Sequence, residues 1–218
     1  MATGQTSMLM ALRDPDIRLM LRVRDNDQSA FAELVERYQH RLVAVMNHIV
    51  GMKEEAEDLS QEVFLRVYRT RHKYTPKAKF STWLFTIANN LALNAIRDRR
   101  KRQTLPLDVS RSDPMGVKLP DSVAMDRSLP PTHHLQHQEL EEVIQKALSE
   151  LNERQRMAVV YNKFEDMNYE EIAQVMELST KAVKSLLSRA RGKLREVLQP
   201  YIYMDTLPPP EAPPEVDD

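Results

Sequence analysis

Cysteine is absent from the chain, and glycine occurs only four times in 218 residues. Without cysteine there is no disulfide framework, no thiol nucleophile and no cysteine-ligated metal site. The same absence suits a reducing compartment. Few glycines and only 6% aromatic residues argue against a sheet, and the Leu-, Ala-, Glu- and Arg-rich remainder argues for helices. No apolar stretch approaches the roughly 20 residues a membrane helix needs. The opening MATGQTSMLMALRDPDIRLM lacks the basic start and long apolar run of a signal peptide. No phosphate-binding glycine loop and no Ser/His/Asp arrangement is present. The expectation is a cytoplasmic, all-α protein without membrane insertion, bound cofactor or metal.

What is present is charge, segregated by sign. The net charge is −1 and the pI about 6.6, low for a nucleic-acid binder. Yet between Arg66 and Arg102 the only acid is Asp98, against a dense series of arginines and lysines. A second basic block holds Lys181, Lys184, Arg189, Arg191, Lys193 and Arg195, while acids gather at 54–58, 139–142 and 165–171. Basic and acidic faces on one chain imply two kinds of partner, one of them polyanionic.

Helical spacing organises the chain into two units. Phe31, Leu34, Val35, Tyr38, Leu42, Val45, Met46 and Ile49 recur at helical period after Asp27, a candidate N-cap, and Gly51 ends the run. A helix near 54–71 starts acidic and ends basic, matching its dipole at both ends. HKYTPKAK reads as a loop, since Pro76 drives Thr75 out of helical geometry. Ser81 or Thr82 could then cap the helix that follows. The expected boundaries are an N-terminal extension over 1–20, a first helical domain over 21–103, a Pro-rich linker over 104–137, a second helical domain over 138–201 and an acidic Pro-rich tail over 202–218.

Within the second unit, YEEIAQVMELSTKAVKSLLSRARGKL divides into a short helix, a tight turn and a longer helix. Tyr169, Ile172, Ala173 and Met176 face Leu178, Val183 and Leu187, while Thr180, Lys181, Lys184, Ser185, Ser188, Arg189 and Arg191 are left for a DNA groove. Short hydroxyls suit base edges or phosphates, and long cations suit phosphate or guanine. The bland alternative is a helical hairpin with a solvated basic face.

LNERQRMAVVYNKFEDMNYEEIAQVMELSTKAVKSLLSRARGKLRE resembles region 4 of the extracytoplasmic-function (ECF) bacterial sigma factors of the sigma-70 family, and EEAEDLSQEVFLRVYR with FSTWLFTIANNLALNAIRDRRKR resembles their region 2. Two departures accompany the likeness: Glu177 stands where the family often has glycine in the helix-turn-helix turn, and Leu186 where a second arginine is common.

The stretch from Phe80 to Arg102 carries the chain's single tryptophan. Projected on a helix, Phe80, Leu84, Ile87, Leu91 and Ala95 form one apolar face, Asn90, Asn94 and Arg97 form another stripe, and Trp83 lies on their border. Arg97, Arg99, Arg100, Lys101 and Arg102 can hold phosphates by charge. Aromatics beside a cationic track suit unstacked single-stranded bases. The resemblance implies that this helix and the loop from Tyr74 to Lys79 recognise the −10 element and trap a flipped base, through Tyr74, Lys79, Phe80, Trp83, Asn90, Asn94, Arg97, Arg99 and Arg100. It further implies that Asp58, Gln61, Glu62 and Arg66 dock on the clamp helices of core RNA polymerase. The helix-turn-helix would read the −35 element near the polymerase flap, and an anti-sigma factor would be a further partner.

Two rivals have their own signatures. A stand-alone helix-turn-helix regulator explains the second unit but not the Trp/Asn/Arg helix, and no dimerisation heptads are evident. An enzyme would need a centre such as a metal held by His133, His134 and His137, but no carboxylate constellation frames those residues.

Overall fold

The computed structural model describes residues 14–104 and 131–204, with side chains over 14–102 and 140–201. Eight α-helices and one short 3-10 turn make up the described residues, with no strand. In chain order they are α1 (Pro15–Arg24), α2 (Gln28–Val50), α3 (Lys53–Thr70) and α4 (Phe80–Thr104), then α5 (Pro131–Ser149), α6 (Glu153–Lys163), α7 (Tyr169–Val175) and α8 (Thr180–Met204). The 3-10 turn, Arg71–Lys73, joins α3 to the loop before α4. The linker core, the tail and the first 13 residues lie outside the described residues. So do the side chains of His133, His134 and His137, whose backbone falls on α5.

Local chemistry sets the helix ends. The Asp27 carboxylate accepts from the Ala30 amide at 3.1 Å and starts α2, and Gly51 stops it in the left-handed region at φ 77°. Asn152 with Gln155, and Asn168 with Glu171, form reciprocal capping boxes at the starts of α6 and α7. Ser179 accepts from the Ala182 amide at 3.2 Å and caps α8. The start of α4 differs from expectation. Helix begins at Phe80, and its amide donates 3.1 Å to Asp14, a residue 66 positions away that also caps α1. Ser81 and Thr82 lie inside α4 and start nothing.

The first core joins α1 to α4. Ile17, Met20 and Val23 of α1 are buried with Leu34, Leu42, Met46, Val63, Val67 and Leu84. Helix α1 therefore straddles the expected boundary at residue 20 and belongs to this core. In the second unit, Met157, Val160, Ile172, Val183 and Leu187 close α6, α7 and α8 around one another. The two units do not stand apart: α6 packs on α2, and α7 packs on α4. Helix α4 makes this possible because it has a second apolar side, Phe85, Ala88, Ala92 and Ile96, beside the one that faces its own core. Tyr161 of α6 is fully buried, its ring centroid 6.0 Å from that of Phe85 in an edge-to-face arrangement.

Candidate nucleic-acid interface

Helix α8 carries its cations outward. Thr180, Lys181, Lys184, Ser188, Arg189 and Arg191 are exposed, and Ser185 is half-buried. On the inner side Val183, Leu187 and Ala190 are buried at four- and three-residue intervals, so packing alone turns the polar set to solvent. Arg189 donates to the Ser185 hydroxyl at 2.8 Å, and Arg191 to the Tyr169 hydroxyl at 3.3 Å, which holds both guanidiniums along the helix face. Leu186 is half-buried against the core, which accounts for an apolar residue there. Glu177 adopts φ 53° in the turn, the backbone geometry that favours glycine at such a place.

Helix α4 divides the expected −10 residues into three groups. Asn90, Asn94 and Arg97 are exposed along one stripe. Tyr74 and Phe80 are not surface residues: they are 4% and 1% exposed. Their rings pack with Tyr38 and Trp83 at centroid separations of 4.7 to 6.5 Å, so they form the aromatic floor under the loop rather than a contact face. Burial, together with the nearby Asp14 and Asp16 carboxylates, pushes the Tyr74 hydroxyl above its ordinary range and keeps it neutral. Trp83 lies between, half-buried, its ring tilted against Tyr74 at 4.7 Å and 6.0 Å from Phe80. Lys79, Arg99 and Arg100 all hold partners within the chain. Lys79 pairs with Glu171 at 2.7 Å and Arg100 with Glu153 at 2.8 Å. Arg99 bonds Glu55 at 3.0 Å and the Val50 carbonyl at 3.1 Å, so it ties the end of α4 to the α2–α3 junction.

A cavity of 340 Å³ opens beside Trp83. The 3-10 turn contributes Lys73, the loop Thr75 and Lys77, α4 Thr82 and Thr86, and Gln174 of α7 forms the far wall. Cations, an aromatic face and hydroxyls around one opening are suited to an unstacked base and its phosphate.

On α3, Asp58, Gln61 and Arg66 are exposed and Glu62 is half-buried. Glu62 accepts from Arg66 at 3.1 Å, an i,i+4 pair. Leu65, at 49% exposure, lies within the same stripe and was not expected as a site residue. The signal for it was available: Leu65 falls outside the Val63 and Val67 periodicity that fills the core. Among the described residues, no helix is long and apolar enough to cross a membrane, and no group of three metal-ligating residues is found.

Fold and sites together define a two-unit helical protein with a cationic helix-turn-helix and a second, aromatic-and-asparagine face. Residues 34–102 match the family described as Sigma-70 region 2, and residues 141–194 match Sigma-70, region 4. RNA polymerase sigma-H factor of Pseudomonas aeruginosa is 32% identical over 193 residues, covering 88% of this chain and 98% of that one. ECF RNA polymerase sigma factor SigW of Bacillus subtilis is 29% identical over 177 residues, covering 81% and 93%. The fold is shared with CnrH, solved in complex with the cytosolic domain of CnrY, at a TM-score of 0.63 and 24% identity over 86% of this chain and 99% of that one. The chain belongs to the sigma-70 family of RNA polymerase sigma factors, in its ECF branch, to which the 30% identical sigma-E factor of Haemophilus influenzae also belongs.

Proposed function

We propose that this chain binds core RNA polymerase and directs it to promoters, reading an upstream −35 element with α8 and opening a downstream −10 element with α4. The observation that carries this reading is the exposed set Lys181, Lys184, Ser188, Arg189 and Arg191 on the second helix of a helix-turn-helix, on a chain whose other half presents Asn90, Asn94 and Arg97. Lys184 and Arg189 engage phosphates or guanine edges in the major groove. Trp83 and the cavity beside it receive a base extruded from the opened strand, and Asn90 and Asn94 meet neighbouring base edges. Stacking at such a site is worth about 1–3 kcal/mol per base, enough to offset part of the cost of unstacking. Tyr74 and Phe80 act beneath this surface, holding Trp83 and the loop in place. Asp58, Gln61, Glu62 and Arg66, with Leu65 at their centre, dock on the clamp helices of the polymerase, and the second unit meets its flap. The chain supplies no catalytic group; polymerase performs the nucleotidyl transfer.

The reading places the protein in the cytoplasm. A further solved structure, the sigma factor RpoE in complex with the anti-sigma factor NepR from Bartonella quintana, favours an anti-sigma partner for this chain as well. The test is run-off transcription on fragmented genomic DNA with core polymerase, with and without the protein. The expected result is new transcripts sharing two spaced upstream elements. Failure both to redirect transcription and to bind core would turn the assignment toward a stand-alone helix-turn-helix regulator.

A further inference from the structure

Residues 205–218 hold five acids, Asp205, Glu211, Glu215, Asp217 and Asp218, and no lysine or arginine. The whole chain has 31 basic and 32 acidic residues, so the part before residue 205 has 31 and 27, a net charge of +4. The tail alone turns a basic protein into one of net charge −1, and this accounts for a pI low for a nucleic-acid binder. Because it follows α8 directly, its charge is held near that helix at high effective concentration.

Helix α8 presents a matching stripe. Lys181, Lys184, Ser188, Arg191 and Arg195 recur at intervals of three and four residues, all exposed, on the side opposite the buried Val183, Leu187 and Ala190. Glu196 is the one acid on the helix. Among the described residues no carboxylate pairs with Lys181, Lys184, Arg191 or Arg195. Arg191 donates to the Tyr169 hydroxyl, and the helix's ion pair, Lys193 with Glu150 at 3.9 Å, lies off the stripe.

The two sets of charges also agree in spacing. At 1.5 Å per helical residue, Arg195, Lys184 and Lys181 stand about 14, 30 and 35 Å back from Met204, where α8 ends. Pro208, Pro209, Pro210, Pro213 and Pro214 favour the extended polyproline form, at about 3.1 Å per residue. If Asp205 and Thr206 reverse the chain, Glu211, Glu215 and Asp217 fall about 16, 28 and 34 Å along the return path.

We propose that residues 205–218 run back along the outward stripe of α8 and set their carboxylates on the cations that α8 offers to DNA phosphates. The consequence rests on the α8 reading proposed above: DNA must displace the tail. Exposed ion pairs are individually weak and screened by salt, so the tail is displaceable. A promoter element offers base contacts as well as phosphates and displaces it, whereas duplex of other sequence offers phosphates alone and competes poorly. The tail thereby raises the selectivity of the helix.

The absence of native cysteine allows a single attachment point. A nitroxide on Ala212→Cys broadens the amide resonances of nearby residues in the full chain. The expected result at low salt is broadening confined to the stripe from Lys181 to Arg195. It should be relieved by a mixed-sequence DNA duplex, and by salt at about 1 M, where the screening length is about 3 Å. No broadening on α8, broadening at α4 instead, or broadening only between a labelled chain and a separate isotope-enriched copy would each overturn the proposal. In a second measurement, Glu211→Gln, Glu215→Gln, Asp217→Asn, Asp218→Asn is compared with a control of equal charge, Glu36→Gln, Glu54→Gln, Asp98→Asn, Glu142→Gln, whose acids are exposed on other helices. Affinity of the free chain for the mixed-sequence duplex at low salt is expected to rise severalfold over the control. Equal affinities would overturn the competition between tail and DNA. Broadening on α8 with duplex binding absent from every variant would contradict the DNA-reading role of α8 and leave the tail's place on it.

Discussion

Asp14→Asn isolates an interaction that local sequence does not reveal. One carboxylate oxygen of Asp14 accepts from the Asp16 and Ile17 amides at 2.9 and 3.4 Å, and the other accepts from the Phe80 amide at 3.1 Å. A single side chain thus caps two helices. Asparagine and aspartate are nearly equivalent as ordinary N-caps, so the substitution would be close to neutral if α1 were all that Asp14 served. Asparagine has only one acceptor atom, however, and its amide nitrogen would face the Phe80 N–H, donor to donor. Losing a hydrogen bond to a charged acceptor at that partly buried amide costs about 1.5–3 kcal/mol. At about 2–4 °C per kcal/mol for a domain of this size, a loss near 2 kcal/mol lowers Tm by about 4–8 °C. Urea unfolding followed by helical circular dichroism supplies the free energy. Trp83 fluorescence in the same titration reports the first turn of α4 directly, as Trp83 is the chain's single tryptophan. A free-energy change under about 0.5 kcal/mol would refute the shared-cap account, since it would show that α4 starts without Asp14.

Further predictions concern the turn, the seam and the reading helix. Glu177→Gly removes a side chain from a backbone at φ 53°. Relief of about 1–2 kcal/mol, less about 0.5–1 for the freedom of glycine when unfolded, leaves a net gain of about 0.5–1 kcal/mol, visible as a higher Tm. His48 packs against Phe164 with ring centroids 4.2 Å apart and its Nδ1 lies 2.9 Å from the Gln145 amide nitrogen; burial lowers its pKa, with Glu141 opposing in part. The unfolded chain therefore takes up the proton first: the stability is fully present above the ordinary value of 6.5 and is lost as pH falls through it toward the depressed folded value. His48→Gln should flatten that part of the pH–stability curve, as read from urea midpoints at pH 7.5 and 5.5 (assay conditions roughly one unit either side of an ordinary histidine). Lys184→Ala should weaken upstream-duplex binding and reduce the slope of log affinity against log salt by about 1, with core binding measured alongside and unchanged.

Much of the fold was legible because its signals are local. Asp27 and Gly51 mark the ends of α2 within a few residues of the helix they serve, and the alternation of Val183 and Leu187 with Lys184 and Ser188 gives the outward face of α8 without any tertiary knowledge. The misreadings arise where one segment answers to another far away. Helix α4 was assigned one apolar face, but Phe85, Ala88, Ala92 and Ile96 form a second, and what covers it lies more than 60 residues on. The capping oxygen for Phe80 comes from Asp14, so proximity pointed wrongly to Ser81 and Thr82. The family resemblance groups Tyr74 and Phe80 with the DNA face, although helical projection alone puts Phe80 on the apolar side. In the structure these rings are buried and fill space under the loop. Asn89 and Asn90 are adjacent, yet one is buried against Tyr161 and the other exposed, because neighbouring positions on a helix point about 100° apart.

In the function proposed above, one chain brings polymerase to a promoter and opens it with α4. Permanganate reactivity of thymines on a promoter identified by run-off transcription tests this most directly, with the wild type compared against Asn90→Ala, Asn94→Ala. The expected result is reactive, unpaired thymines at the downstream element only when core and chain are both present, and closed complexes without that reactivity for the variant. Undiminished reactivity with the variant, or none with the wild type bound to core and promoter, would contradict it.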